Sequence, residues 1–189
     1  MIEKIIGISG VIVFLIGSHI AMATYYKPFR YLWSYYSDLG YDKNTKVSRF
    51  FNTWTTVYFA IAIIVVWITI GTHLDENILL IQLSGIIGAL STIGIVIYPF
   101  NKQNPILHGI FVFLANISTN AAILIVNLEL QLITVWIHLG WFALYLSVWA
   151  ITSRVFIHDL KRARPYHAPV QKVYVLLLMI SIVSILITF

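Results

Sequence analysis

Six stretches of about 20 mostly apolar residues take up nearly the whole chain, at approximately 5–24, 50–71, 78–99, 106–128, 131–153 and 170–189. A helix of that length crosses roughly 30 Å of hydrocarbon. Lipid offers no partner to a backbone N–H or C=O, so a segment immersed in it must satisfy those groups internally, as a helix does. The expected fold is therefore all-α, a polytopic bundle of six transmembrane helices forming a single domain over 1–189. The longest connection is 25–49 and the next is 156–168, whereas the turns at 72–77, 100–105 and 129–131 are short and force their flanking helices to run antiparallel. Lys4, the apolar run behind it and Ala21-Met22-Ala23 loosely fit a signal peptide; we read the segment as a retained span.

Composition agrees with lipid as the solvent. The 189 residues are 60% hydrophobic and 10% charged, against roughly a quarter charged in a soluble domain. That balance excludes a single water-soluble core, a disordered chain and a nucleic-acid-binding domain. Cysteine is absent, which excludes disulfides, cysteine-ligated zinc, iron–sulfur clusters and thiol catalysis.

The net charge of +5 bears on topology. With six spans, both termini share a side with the second and fourth connections. Of the 12 Lys and Arg residues only Lys4 falls on that side; Lys27, Arg30, Lys43, Lys46, Arg49, Lys102, Arg154, Lys161, Arg162, Arg164 and Lys172 fall on the other. Basic residues stay on the cytoplasmic side, so both termini are expected outside a cell membrane and the long first connection inside.

This topology brings polar residues that are far apart in sequence to one depth. Ser18 and His19 end the first span, and Ser37, Asp38 and Asp42 lie in the first connection. Asn52 and Thr53 open the second span, Asn101, Asn104 and His108 flank the start of the fourth, and His158, Asp159 and His167 lie in the last connection. Imidazoles and carboxylates gathered in one interfacial pocket could act as an acid/base pair. In that reading Asp38 and His108 are the catalytic pair, with Asn52 and Ser37 beside them, and Lys27, Arg30 or Arg49 hold the phosphate of a lipid. The same groups could hold a divalent metal through His19, His108 and Asp38, although no H-x-x-x-H or H-E-x-x-H spacing occurs. The plainer alternatives stand beside these. Asp38 in Ser37-Asp38-Leu39-Gly40 is equally well read as a turn residue, with Gly40 taking a positive φ. His19 and His108 are more simply packed, hydrogen-bonded histidines, and His158 and His167 surface residues.

Inside the spans, His108, Val112, Asn116, Thr119 and Asn120 recur at helical steps along one face of the fourth. We read them first as interhelical hydrogen bonding and second as a polar cavity running inward from His108. Thr134, His138, Trp141, Tyr145 and Trp149 share a face of the fifth span. Depth argues against a haem held by His108 and His138, because about 16 residues of helix place them on the order of 24 Å apart; His138 is expected to bond a neighbour instead. Gly85, Gly88, Ser91 and Gly94 form a ridge of small residues on the third span, suited to close helix contact. Aromatics from Tyr25 to Tyr36 crowd the first connection around Lys27 and Arg30 and are expected at the headgroup level. Lys161-Arg162-Ala163-Arg164 should attract anionic headgroups.

Tyr36-Ser37-Asp38-Leu39-Gly40 followed by Phe51-Asn52, and Gly94-Ile95-Val96-Ile97-Tyr98-Pro99-Phe100 followed by Leu107-His108-Gly109, resemble an uncharacterised prokaryotic six-helix membrane family. That family is similar to the eukaryotic DRAM and Sfk proteins, which share a Ser-Asp-x-Gly loop followed by Phe and Asn. The resemblance implies a six-helix bundle connected with membrane-lipid handling or trafficking, with no agreed reaction, and marks Ser37, Asp38, Asn52 and His108 as the family-like polar positions. In the eukaryotic relatives the first connection would face the lumen, opposite to the charge count above. Two functions are thus expected from the sequence. The first is binding, with or without processing, of a lipid headgroup or prenyl-type lipid in a cytoplasmic-side pocket. The second is a structural role among other membrane subunits.

Overall fold

The computed structural model of the protein describes residues 1–30, 34, 36–40, 43–74, 77–99, 105–132, 134–155 and 164–189, with backbone alone at 105, 134–135, 152–155 and 164. Its elements are α1 (Ile2–Ala23), a short 3-10 helix (Tyr36–Gly40), α2 (Lys46–His73), α3 (Ile78–Ile97), α4 (Pro105–Leu130), α5 (Thr134–Val155) and α6 (Arg164–Thr188). The fold is an all-α bundle of six long helices. Five of them are long and apolar enough to cross a membrane, and the apolar part of α5 found among the described residues, Trp136–Ile151, is shorter.

The outward faces give the solvent. Ile16 on α1, Ile61 on α2, Leu90 on α3, Phe113 on α4, Trp136 on α5 and Leu176 on α6 are all exposed. Apolar surface on every long helix is far more than water tolerates on one protein, so the chain is a multi-pass membrane protein.

Each of α1 to α3 packs on the next, α5 and α6 form a separate pair, and α6 closes against α1. The main core is built by Val11 and Phe14 of α1, Phe59, Ile63 and Trp67 of α2, Ile81 and Ala89 of α3, Ile123 and Val126 of α4, and Met179 and Ile182 of α6. Among the described residues, none of its buried members comes from α5, which leans on α6 and only lightly on α4. The small-residue ridge on α3 does what its spacing predicts. A Cβ at Gly85 would stand 2.2 Å from Trp67 of α2, and one at Gly88 would stand 2.3 Å from the Thr119 hydroxyl of α4. The absent side chains let α3 nest between its two neighbours.

The two largest departures from the apolar runs are the starts of α2 and α6. α2 begins at Lys46 because the Thr45 hydroxyl accepts from Ser48 N–H at 3.1 Å and caps the helix. α6 begins at Arg164, six residues before its apolar run, and it carries Pro169 within its first turns. A helix continues beyond the hydrocarbon, whereas hydropathy reports only the part inside it.

A candidate lipid groove at one end of the bundle

The first connection leaves α1 and folds back over the bundle end. Leu39 is fully buried and packs with Ala21, Met22, Tyr25, Phe29, Tyr36 and Phe51 as a small second core. The aromatic stretch expected along the membrane surface thus supplies, among its described residues, the cover for this core. Buried Asn44 fixes the chain there. Its Nδ2 donates to Leu39 O and to Ser48 Oγ, both at 2.8 Å, and its Oδ1 accepts from Tyr26 N at 3.1 Å and Thr45 N at 2.9 Å. Ser48 Oγ donates onward to Ala21 O at 2.7 Å, and Thr45 Oγ1 to Thr24 O at 2.6 Å.

Asp38 lies in the 3-10 helix and is buried. Its carboxylate acts electrostatically on both His108 of α4 and Lys172 of α6. His108 is also buried, and its Nδ1 meets Tyr98 O at 2.9 Å. A carbonyl can only accept, so Nδ1 carries the proton and donates. Tyr98 in turn stacks on Phe111 at 5.6 Å, which fixes the end of α3 against α4. Lys172 Nζ donates to Ser34 O at 2.5 Å and Ala168 O at 3.3 Å and lies 5.6 Å from the Phe29 ring centre, tying the first connection to α6.

Gly40 is not at positive φ, contrary to the turn reading; no described glycine is. Its smallness has a different use. A Cβ there would come 3.2 Å from the Asn52 amide and 3.5 Å from Pro99, so glycine lets the 3-10 helix lie directly on α2 and the end of α3. Asn52 is buried at this contact.

Beside that contact an open-sided groove of about 820 Å³ runs between α2 and α3. Gly40, Lys46, Arg49, Thr53, Trp54 and Val57 line one side of it, and Val96, Ile97 and Pro99 the other. From Lys46 to Val57 it extends roughly 17 Å along α2. The cations stand at its outer end with Phe50, and Val57, Val96 and Ile97 lie further in.

The candidate residues therefore divide. Asp38, Asn52 and His108 come together with Pro99 at one end of the bundle, and Ser37 is half-buried beside them. Of the three expected phosphate ligands, Arg49 lines the groove, whereas Lys27, packed 5.3 Å over the Tyr26 ring, and Arg30 are exposed and do not. His19 is exposed and its Nδ1 donates to Leu15 O at 2.7 Å, one turn back on its own helix. The trio His19, His108 and Asp38 is not a metal-holding group, and no cluster of three or more His, Asp or Glu suited to a metal occurs among the described residues. His167 is buried rather than at the surface, because α6 has already begun there. Asp42, Asn101, Lys102, Asn104, His158, Asp159, Lys161 and Arg162 lie outside the described residues.

Sequence reasoning missed Asn44, Thr45, Lys46 and Lys172 as site residues. Thr45 carried a signal, since Thr before an apolar helical run is a cap pattern. Lys172 carried another, because a cation inside an apolar span needs a partner. Along α4 the stripe bonds partly to its own helix: Asn116 Nδ2 donates to Val112 O and Asn120 Nδ2 to Asn116 O. His138 bonds Asn120, twelve residues or roughly 18 Å along α4 from His108, so the two histidines face different sites.

Comparison of the chain with known protein families, with curated proteins and with solved structures finds no match.

Proposed function

We propose that the protein binds a phosphate-bearing membrane lipid in the groove between α2 and α3. The observation that carries this reading is the order of its lining. Lys46, Arg49 and the exposed Phe50 ring stand where α2 starts, Thr53 and Trp54 follow, and Val57, Val96 and Ile97 lie deeper. That sequence of cation, amphipathic ring and hydrocarbon is the sequence of a lipid itself, from phosphate to acyl or prenyl chain. Asp38, Asn52 and His108 do not line the groove; they lie buried behind Gly40 and Pro99, which do, and are the groups to supply acid/base chemistry if the lipid is processed. On the basic-residue count, this end faces the cytoplasm of a cell membrane. The Ser37-Asp38-Leu39-Gly40 loop and its likeness to the DRAM and Sfk type of protein fit the same reading.

The test is native mass spectrometry of protein from nanodiscs containing phosphatidylglycerol. Wild-type protein should retain the lipid, and the double variant K46Q/R49Q should lose most of it while staying folded. Equal retention by the variant would remove the groove from consideration.

A second reading, a structural subunit of a larger membrane assembly, rests on α5. Its Trp136, Ile137 and Trp149 are exposed, and among the described residues it contributes no buried member to the main core. A monodisperse single-chain species, stable without partners, would argue against it.

A further inference from the structure

A second polar site lies inside the bundle, away from the groove, where α4, α5 and α6 meet. Asn120 Nδ2 donates to Asn116 O at 2.7 Å and to Tyr174 Oη at 2.6 Å, and Asn120 Oδ1 lies 2.5 Å from His138 Nε2. The Asn116 carbonyl can only accept, which fixes the NH₂ end of the amide and leaves Oδ1 as the acceptor facing the histidine. His138 therefore donates through Nε2, and in its neutral form Nδ1 is a bare lone pair. That nitrogen is buried with no hydrogen-bond partner, in a residue only 1% exposed. On the other side of Asn120, the Tyr174 hydroxyl accepts from the amide, and among the described residues no group takes its own hydrogen.

An unspent acceptor on His138 and an unspent donor on Tyr174, each buried and with ring centres 5.7 Å apart, are costly in hydrocarbon. A hydroxyl satisfies both, because it donates one hydrogen and accepts another. The walls suit an apolar body behind it: the Tyr174 ring stacks on Tyr145 at 5.1 Å and 7°, with Phe142 at 5.6 Å and the His138 ring at 5.7 Å. α5 is held mainly by α6 and lightly by α4, so the α4–α5 seam is the weaker side of the packing around His138.

We propose that His138, Asn120 and Tyr174 form an intramembrane hydroxyl-binding site. Its occupant donates to His138 Nδ1, accepts from Tyr174 Oη, and is either an ordered water or the hydroxyl of a long-chain or isoprenoid alcohol. The site shares no residue with the groove, so the two proposals fail independently.

The experiment is nitrogen NMR of the full chain in nanodiscs, with histidines labelled and His138 assigned by H138Q. Farnesol is titrated in, with farnesyl methyl ether, which cannot donate, as the control. An alcohol site predicts a saturable farnesol-dependent shift of the Nδ1 signal that the ether does not reproduce, with about tenfold weaker binding in Y174F. A water site predicts an Nδ1 already hydrogen-bonded before titration, in magnetisation contact with water and unmoved by farnesol. An Nδ1 signal of a bare nitrogen that neither water nor farnesol touches would overturn the proposal. Should H138Q fail to fold, H138N serves for the assignment, and the farnesol-dependent shift, measured with and without Y174F, decides the proposal.

Discussion

At the end of the bundle where α1 gives way to α2, one buried asparagine gathers four hydrogen bonds and two hydroxyls carry the chain back onto α1. At the opposite end, the described residues turn by backbone geometry instead. Asn77 precedes α3 at φ 56° with no side-chain cap, Gln131 follows α4 at φ 52°, and the side-chain link between these turns is an exposed Asn77–Glu129 hydrogen bond of 3.1 Å. A short turn between antiparallel helices needs little more. A long connection loses much more chain entropy on ordering, and nothing forces it to hold a shape unless that shape is used. The investment of buried polar bonds at one end is therefore evidence, separate from the groove, for which end does the work.

Removing the hub should have the largest effect. Asn44→Ala leaves Leu39 O and Tyr26 N–H without the partners they have now, inside a small core with little else to hold it. An unsatisfied buried group costs about 1–3 kcal/mol, so the loss should be on the order of 3 kcal/mol, read as a lowered unfolding midpoint in detergent. Lipid retention should fall with it, because Gly40, the last residue of the 3-10 helix, lines the groove. If the midpoint drops while lipid stays bound, the clasp and the groove are unrelated.

The fold was legible in the sequence for a simple reason: a span must be long and apolar, and that requirement is written in every residue of it. The α3 ridge was legible too, since small residues at three-residue steps can face only neighbouring helices. The candidate site was legible only as a depth. Basic-residue counting and span limits put Asp38, Asn52 and His108 at one level, but lateral position depends on how helices pack around the bundle, which hydropathy does not encode. Hence Arg49 was separated from Lys27 and Arg30 only by the structure, and Lys172 entered the site only once α6 was seen to carry it beneath Ser34. The partner of His138 was hidden for the same reason, because Asn120 looked like one member of a stripe and is the one that reaches across helices to α5 and α6.

A smaller effect is expected from the cap. Thr45→Ala removes the acceptor of Ser48 N–H and the bond to Thr24 O but leaves Asn44 in place. Loss of an N-cap side chain costs typically about 1 kcal/mol. Thr45→Ser keeps the hydroxyl and should restore most of that loss. A serine variant as weak as the alanine one would mean that the threonine methyl group, rather than the cap, holds this corner.

The smallest effect belongs to the far end, and it is the sharper test because it predicts almost nothing. Glu129→Ala deletes the acceptor of the Asn77 amide in an exposed setting, where water replaces the lost bond and a surface substitution usually stays within about 0.5 kcal/mol. The unfolding midpoint and lipid retention should both match wild type. A midpoint loss comparable to that of Asn44→Ala would show that the α2–α3 and α4–α5 turns depend on each other through this one contact. Both ends would then be clasped, and the density of side-chain bonds would no longer tell the working end from the other.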